Sequence, residues 1–183
     1  MRDDARLVAE AKAGDRAAFE AIVLQYQDRI GRYLYRLTSD WELARDLTQE
    51  TFLRAYQHLG RQRDDAALYA WLYRIATNLA YDKLRRRRRL AWVPFGRAAE
   101  AHPEALVPDV ADGQADHDLF RRALAALKAE HRACLLLHLG DGLSTEEVAR
   151  TLGISHAAAK KRIVRAKAAF RTAYERLVGE VRG

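Results

Sequence analysis

All three prolines of this 183-residue chain, Pro94, Pro103 and Pro108, fall in one stretch of the sequence. Proline lacks a backbone N–H and clashes with the preceding helical turn, so confining it to one place leaves the rest free to be helical. Outside that stretch glycine is sparse while Ala, Leu, Arg and Glu abound, which is the composition of helix. Residues 90–118 themselves lack periodicity and carry six acidic side chains against Arg97 alone. Such a segment cannot bury enough apolar surface to fold by itself and reads as a flexible acidic linker. The expected fold is all-α, with a helical domain over 1–89, the linker over 90–118 and a second helical domain over 119–183.

In the first domain, residues 4–13 read as a short helix closed at Gly14, with Asp15 placed to cap the next. Phe19, Ile22, Val23, Tyr26, Ile30, Tyr33, Leu34 and Leu37 then keep helical period as a core stripe. Ser39 with Glu42 three residues on predicts a capping box, opening a helix to about Leu59. Leu43, Leu47 and Ala55 face its core side. A second stripe, Asp46, Gln49, Leu53 and Tyr56 with Glu50 at its edge, mixes apolar, acid and amide groups. It is either a partner-binding face or ordinary surface with Leu53 and Tyr56 partly buried.

After the loop Gly60 to Asp65 comes Trp71–Arg89, WLYRIATNLAYDKLRRRRR. Leu72, Ile75, Ala76 and Leu79 form a buried stripe, and Tyr73, Arg74, Thr77, Asn78, Tyr81 and Arg85 collect on the opposite face. Aromatics stack on unpaired bases, Asn reads base edges and Arg neutralises phosphate. A net charge of +7 and a pI near 9.7 also point to a polyanionic partner. A solvated amphipathic helix with a basic end is the competing reading.

The second domain opens with a helix containing Phe120, Leu124 and Leu127, then another through Leu135 and Leu139, broken at Gly140 and Gly142. Ser144 and Glu147 form a second capping-box pattern before TEEVARTL, which stops at Gly153. Ser155 then caps a helix from about His156 to Val178. Two helices joined by a short glycine-containing turn make a helix-turn-helix. Val148, Ala149, Leu152, Ile154, Ala159 and Ile163 would lock the crossing, with Ala166 and Phe170 also facing inward. Ala157, Lys161 and Arg165, flanked by Lys160, Arg162 and Lys167, make the outer face basic, as a DNA recognition helix requires.

Other chemistries find little support. Cys134 is the single cysteine, so no internal disulfide forms. His131, Cys134 and His138 have a spacing that could present ligands to a metal, but a buried thiol in a leucine-rich helix explains them without one. No metal and no cofactor is assigned. The sequence has no glycine-rich phosphate loop, nucleophile elbow or carboxylate-rich pocket pattern, so it does not read as an enzyme. No apolar run reaches the ~20 residues of a membrane span and no signal-peptide pattern opens the chain, making the cytoplasm the expected location.

The whole chain except the linker resembles the extracytoplasmic-function sigma factors, small bacterial sigma factors that retain only regions 2 and 4. The resemblance rests on Gly14-Asp15 with Ala18-Phe19, on Ala44 through Leu53 (ARDLTQETFL), and on Trp71 through Ala80 with Asp82 and Arg85-Arg86. In the second domain it rests on Leu143-Ser144, Glu146 through Ala149, Leu152 through Ser155, Lys160, Arg162 and Arg165-Ala166-Lys167. It implies a promoter-specificity subunit. Asp46, Gln49, Glu50 and Leu53 would dock on the beta-prime subunit of core RNA polymerase. Arg74, Asn78, Tyr81, Arg85 and Arg86, with the Gly60 to Asp65 loop, would read and open the minus-10 element. Ser155, His156, Ala157, Lys160, Lys161, Arg162 and Arg165 would read the minus-35 element, while the other surface of that domain meets the beta flap. The acidic linker resembles the connector that threads towards the RNA exit path.

Three features depart from the family pattern. Ala158-Ala159 replaces a frequent Thr-Val pair, His156-Ala157 replaces a small-Gly step, and Lys128 follows Leu127 where proline is common. The first two bear on which minus-35 bases are read. No appended C-terminal domain is evident, so regulation is expected from expression or a separate anti-sigma factor, the family's usual device. A free-standing operator-binding regulator leaves the first domain's two distinct faces unexplained. A basic adaptor for an acidic protein would be marked by nuclease-insensitive, polymerase-independent co-purification.

Overall fold

A computed structural model of the chain describes residues 2–61, 68–90 and 114–182, and among these residues there are helices and turns but no strand. They divide into two compact units, one of residues 2–35 and 40–90 without the undescribed loop, the other of residues 36–39 and 114–182.

In the first unit α1 (Arg2–Lys12) ends at Gly14, whose φ of 99° lies in the left-handed region that glycine enters without steric cost. That turn lets Asp15 N–H reach Glu10 O and Gly14 N–H reach Ala11 O, both at 3.1 Å, closing a Schellman motif. Asp15 then caps α2 (Arg16–Thr38), its Oδ1 accepting from the amides of Ala17 and Ala18 as the sequence predicts. Asp4 ties α1 to α2: its buried carboxylate accepts from Tyr26 Oη at 2.8 Å and from Gln25 Nε2 at 2.9 Å. Burial, then the adjoining Asp4 carboxylate, raise the Tyr26 phenol well above its ordinary pKa, so it remains a donor.

Helix α3 (Trp41–His58) starts one residue later than the expected capping box would place it. Ser39 has φ 57° and forms the turn, whereas Asp40, extended at φ −141°, is the cap and accepts from Leu43 N–H at 2.9 Å. Ser39 and Asp40 are both competent caps in adjacent positions, and the backbone turn selects the second. Leu43, Ala44, Leu47, Thr51, Phe52 and Ala55 are buried along one side. A short 3-10 turn, Leu59–Arg61, follows; residues 62–65 of the loop Gly60 to Asp65 lie outside the described residues. α4 (Leu68–Leu90) packs against α3.

Helix ends enter the stretch 90–118 from both sides. α4 reaches Leu90 and α5 (Gln114–Ala125) begins inside it, while residues 91–113 lie outside the described residues. α6 (Ala129–Leu135) continues as a π-helical turn, Leu136–Gly140, which Asp141 N–H closes onto Leu136 O. Buried Arg132 donates to Ala125 O and Leu127 O, satisfying carbonyls where α5 ends. α7 (Thr145–Leu152) carries the predicted capping box in full: Glu147 N–H donates to Ser144 Oγ and Ser144 N–H to Glu147 Oε2. It stops at Gly153, φ 64°, in a second Schellman closure from Ile154 N–H to Ala149 O. α8 runs His156–Arg182, one turn past the expected end. Its apolar side buries Ala159, Ile163, Ala166 and Leu177, and α5, α6 and α7 all pack on it.

The Ser144 box makes a prediction about acid stability. Ser144→Ala is expected to destabilise the second unit by about 1 kcal/mol. The hydrogen bonds from Ser144 hold the Glu147 carboxyl below its ordinary value of 4.5. A depressed carboxylate contributes stability above that ordinary value, and the contribution is lost as pH falls through the lower folded value. Glu147→Gln should therefore flatten the acid limb of the thermal-midpoint profile without changing it at neutral pH beyond the loss of the cap. An unaltered acid limb in this variant would remove the assignment.

Candidate nucleic-acid interface

An α-helix advances roughly 100° per residue, so Arg74, Asn78 and Arg85 of α4 fall within about 40° of one another. All three are exposed. Arg74 and Asn78 have no hydrogen bond or ion pair among the described residues, leaving a guanidinium and an amide open to a ligand. Arg85 is held by Asp82 one turn back at 2.5 Å. Tyr81 is half-buried at the margin of this face and Arg86 is exposed.

Two residues read onto this outer face belong to the core instead. Tyr73 is 0% exposed and Thr77 1%. Tyr73 stacks on Tyr69 at 4.3 Å between ring centroids and lies 4.9 Å from Tyr33. The Thr77 hydroxyl is 2.7 Å from Tyr33 Oη and donates to Tyr73 O at 2.7 Å. Tyrosine and threonine are amphipathic, and once their hydroxyls are paired they pack like apolar groups. Ile75, read into the core stripe, is only half-buried. The outer face is therefore narrower and more polar than the sequence suggests.

On α3, Asp46 and Gln49 are exposed, and Leu53 and Tyr56 show 53% and 51% of their surface. Tyr56 sets its ring edge against Phe19 at 5.0 Å, which fixes it while leaving half of it outward. Glu50 is half-buried and bridged by Arg54 at 2.7 Å. Between α3 and α4 lies an open cleft of about 290 Å³. Leu47 and Leu79 contribute apolar surface to it, and Asp46, Glu50, Arg54, Asp82, Lys83 and Arg86 line it with alternating charge. Arg54 and Lys83 were absent from the expected site. Their signal is present in the sequence: Lys83 follows Leu79 by four residues on α4, and Arg54 follows Glu50 and Leu47 by four and seven residues on α3.

On α8, Lys160, Lys161 and Arg165 are exposed and make no hydrogen bond or ion pair among the described residues. His156 and Ala157 are exposed at its first turn, and Ser155 caps it by accepting from Ala158 N–H at 3.2 Å. Arg162 differs from its neighbours: it is half-buried and paired with Glu130 of α6 at 3.7 Å. Cys134 is fully buried, and burial pushes its thiol up to about 11 although Arg162 acts in the opposite direction. His138 Nδ1 lies 2.7 Å from Leu143 O. No group of three metal-binding side chains comes together among the described residues.

A helical protein with one outward basic helix in each of two units, the second inside a helix-turn-helix, has the make-up of a DNA-binding protein. Family models match accordingly: Sigma-70 region 2 over residues 22–90 and Sigma-70 region 4 over residues 117–170. The ECF RNA polymerase sigma factor SigL of Mycobacterium tuberculosis (strain ATCC 25618 / H37Rv) is 36% identical over 171 residues, covering 93% of this chain and 96% of SigL. The RNA polymerase sigma-H factor of Pseudomonas aeruginosa is 31% identical over 198 residues, 98% of each chain. Among solved structures, CnrH in complex with the cytosolic domain of CnrY superposes with a TM-score of 0.70 at 25% identity, over 94% of this chain and 97% of that one. The sigma factor RpoE in complex with the anti-sigma factor NepR from Bartonella quintana gives 0.71 at 26%, over 86% and 96%. The chain belongs to the extracytoplasmic-function group of sigma-70-type RNA polymerase sigma factors. It directs promoter-specific transcription initiation with core RNA polymerase. No described helix is long and apolar enough to cross a membrane.

Proposed function

We propose that the three outward surfaces divide the work of initiation. The α3 stripe of Asp46, Gln49, Glu50 and Leu53 docks on core polymerase. The α4 face of Arg74, Asn78, Tyr81, Arg85 and Arg86 reads and opens the minus-10 element. The start and outer side of α8, from Ser155, His156 and Ala157 through Lys160, Lys161 and Arg165, read the minus-35 element, with Arg162 contributing from its ion pair. Residues 1–89 and 119–183 act as separate domains on the 90–118 tether. The chain works without chemistry of its own, in the cytoplasm. By likeness to CnrH and RpoE, whose structures hold partner proteins, it takes a separate anti-sigma factor.

The observation that carries this reading is the set of exposed, unpaired donors, Arg74 and Asn78 on α4 and Lys160, Lys161 and Arg165 on α8, carried by two different units. Transcription in vitro with core polymerase over a randomised promoter library tests it, and the expected result is enrichment of two spaced elements. Enrichment of one element alone would overturn the two-surface reading. For the docking stripe, Asp46→Arg and Leu53→Ala are each expected to weaken holoenzyme assembly while changing stability by less than about 1 kcal/mol, because both side chains are exposed. Wild-type affinity for core polymerase in both variants would exclude α3 as the docking helix.

A further inference from the structure

The arginines that follow Asp82 do not share one environment. Arg85 turns to Asp82, and Arg86 lines the α3–α4 cleft. Arg87 reaches across 47 residues of sequence to Asp40, with Nη1 to Oδ2 at 2.7 Å. At roughly 100° per residue, Arg87 lies about 20° from Ala80 and about 160° from Arg85 around α4. Ala80 is fully buried, so Arg87 leaves the helix on its core-facing side, away from the exposed line of Arg74, Asn78 and Arg85.

Asp40 is a fixed anchor. One carboxylate oxygen, Oδ1, caps α3 by accepting from Leu43 N–H at 2.9 Å, and the other takes Arg87. Burial pushes its carboxyl up, but the Leu43 amide and the Arg87 guanidinium outweigh this and hold it below the usual range, so it is ionised at neutral pH. The Asp40 side chain is 18% exposed and that of Arg87 55%. A pair this open adds little to global stability. What it does is fix the direction of a long side chain and the helix end that carries it.

We propose that Arg87 is a positioning residue and not a phosphate ligand: with Asp40 it clamps the basic end of α4 to the start of α3, and so sets where Arg85 and Arg86 meet the promoter strand. This rests on the reading of α4 as the minus-10 helix. The clamp joins the helix that docks on polymerase to the helix that reads DNA. Arginine suits the position because its charge is permanent and its planar fork keeps a direction.

The test separates the ion pair from the cap, since asparagine caps a helix about as well as aspartate but offers no charge. Arg87→Ala, Asp40→Asn, the double variant and Arg87→Lys are compared with wild type in reconstituted holoenzyme. The template is the promoter that wild type selects from a randomised library. Arg87→Ala and Asp40→Asn should each slow open-complex formation about fivefold, within the range for two side chains sharing one ion pair, and the double variant should be no slower. Arg87→Lys should recover to within about twofold, and the salt dependence of binding should match wild type throughout.

A phosphate ligand behaves differently. Arg87→Ala would then lower the logarithmic salt slope by about one, and Asp40→Asn, by freeing the arginine, would bind as well as wild type or better. Either result, or additive losses in the double variant, overturns the proposal. Amide hydrogen exchange at the last turns of α4 in the free protein gives a readout without DNA. It should quicken to the same extent in Arg87→Ala and Asp40→Asn, and unchanged exchange in both overturns the clamp. Asn78→Ala serves as the control for the underlying reading. If it leaves minus-10 preference intact, the assignment of α4 fails, while the exchange experiment still decides whether the clamp exists.

Discussion

Tyr73→Ala is expected to destabilise the first unit by about 3–5 kcal/mol, the range for deleting a fully buried aromatic ring. The side chain has no exposed surface, and its removal takes away the stack on Tyr69 and the contact with Tyr33 at the centre of the unit. With whole domains stable by about 5–15 kcal/mol, that loss unfolds a large share of molecules under mild stress. Asn78→Ala, little more than one turn further along the same helix, removes an exposed side chain with no protein partner and should change stability by less than about 0.5 kcal/mol. Urea unfolding followed by circular dichroism compares the two. A Tyr73→Ala protein as stable as Asn78→Ala would mean that Tyr73 is not in the core.

That contrast marks how far the sequence could be read. The caps at Asp15 and Ser144 and the stop at Gly153 depend on residues within one turn of each other, so the local pattern carries all the information they need. The helix-turn-helix was legible for the same reason, its apolar set lying within about sixteen residues. In the sequence Tyr73 and Thr77 read as outward because each carries a polar atom. The group that pairs with the Thr77 hydroxyl and makes burial tolerable is Tyr33, 44 positions away in the sequence. The partner of Arg87 is likewise remote, and five consecutive arginines give no hint that one of them pairs with Asp40 at the start of α3. At Ser39-Asp40 the failure has another origin. Two adjacent residues both make good caps, and the choice between them is settled by a left-handed turn at Ser39, which no propensity favours. Local hydrogen bonding was thus visible from the chain, whereas polar burial, which needs a distant partner, was not.

The same reasoning separates the effects of Asn78→Ala and Arg165→Ala on promoter choice. Asn78 presents an amide that both donates and accepts, which suits a base edge. Arg165 is exposed on α8, four residues beyond Lys161, and lies on a different unit. In holoenzyme over a promoter library, Asn78→Ala should relax preference at the minus-10 element while minus-35 preference survives. Arg165→Ala should do the reverse if its guanidinium makes a bidentate contact to a base, at a cost of about 1–3 kcal/mol. If it meets only phosphate, affinity should fall almost uniformly across sequences and the logarithmic salt slope should drop by about one. Arg162 provides an internal comparison, because Glu130 already occupies its guanidinium at 3.7 Å. Arg162→Ala should therefore weaken minus-35 binding less than Arg165→Ala and affect the stability of the second unit more. Two elements read by two units predict losses confined to one element at a time. Equal losses at both elements from Asn78→Ala and from Arg165→Ala would show that the surfaces do not act separately.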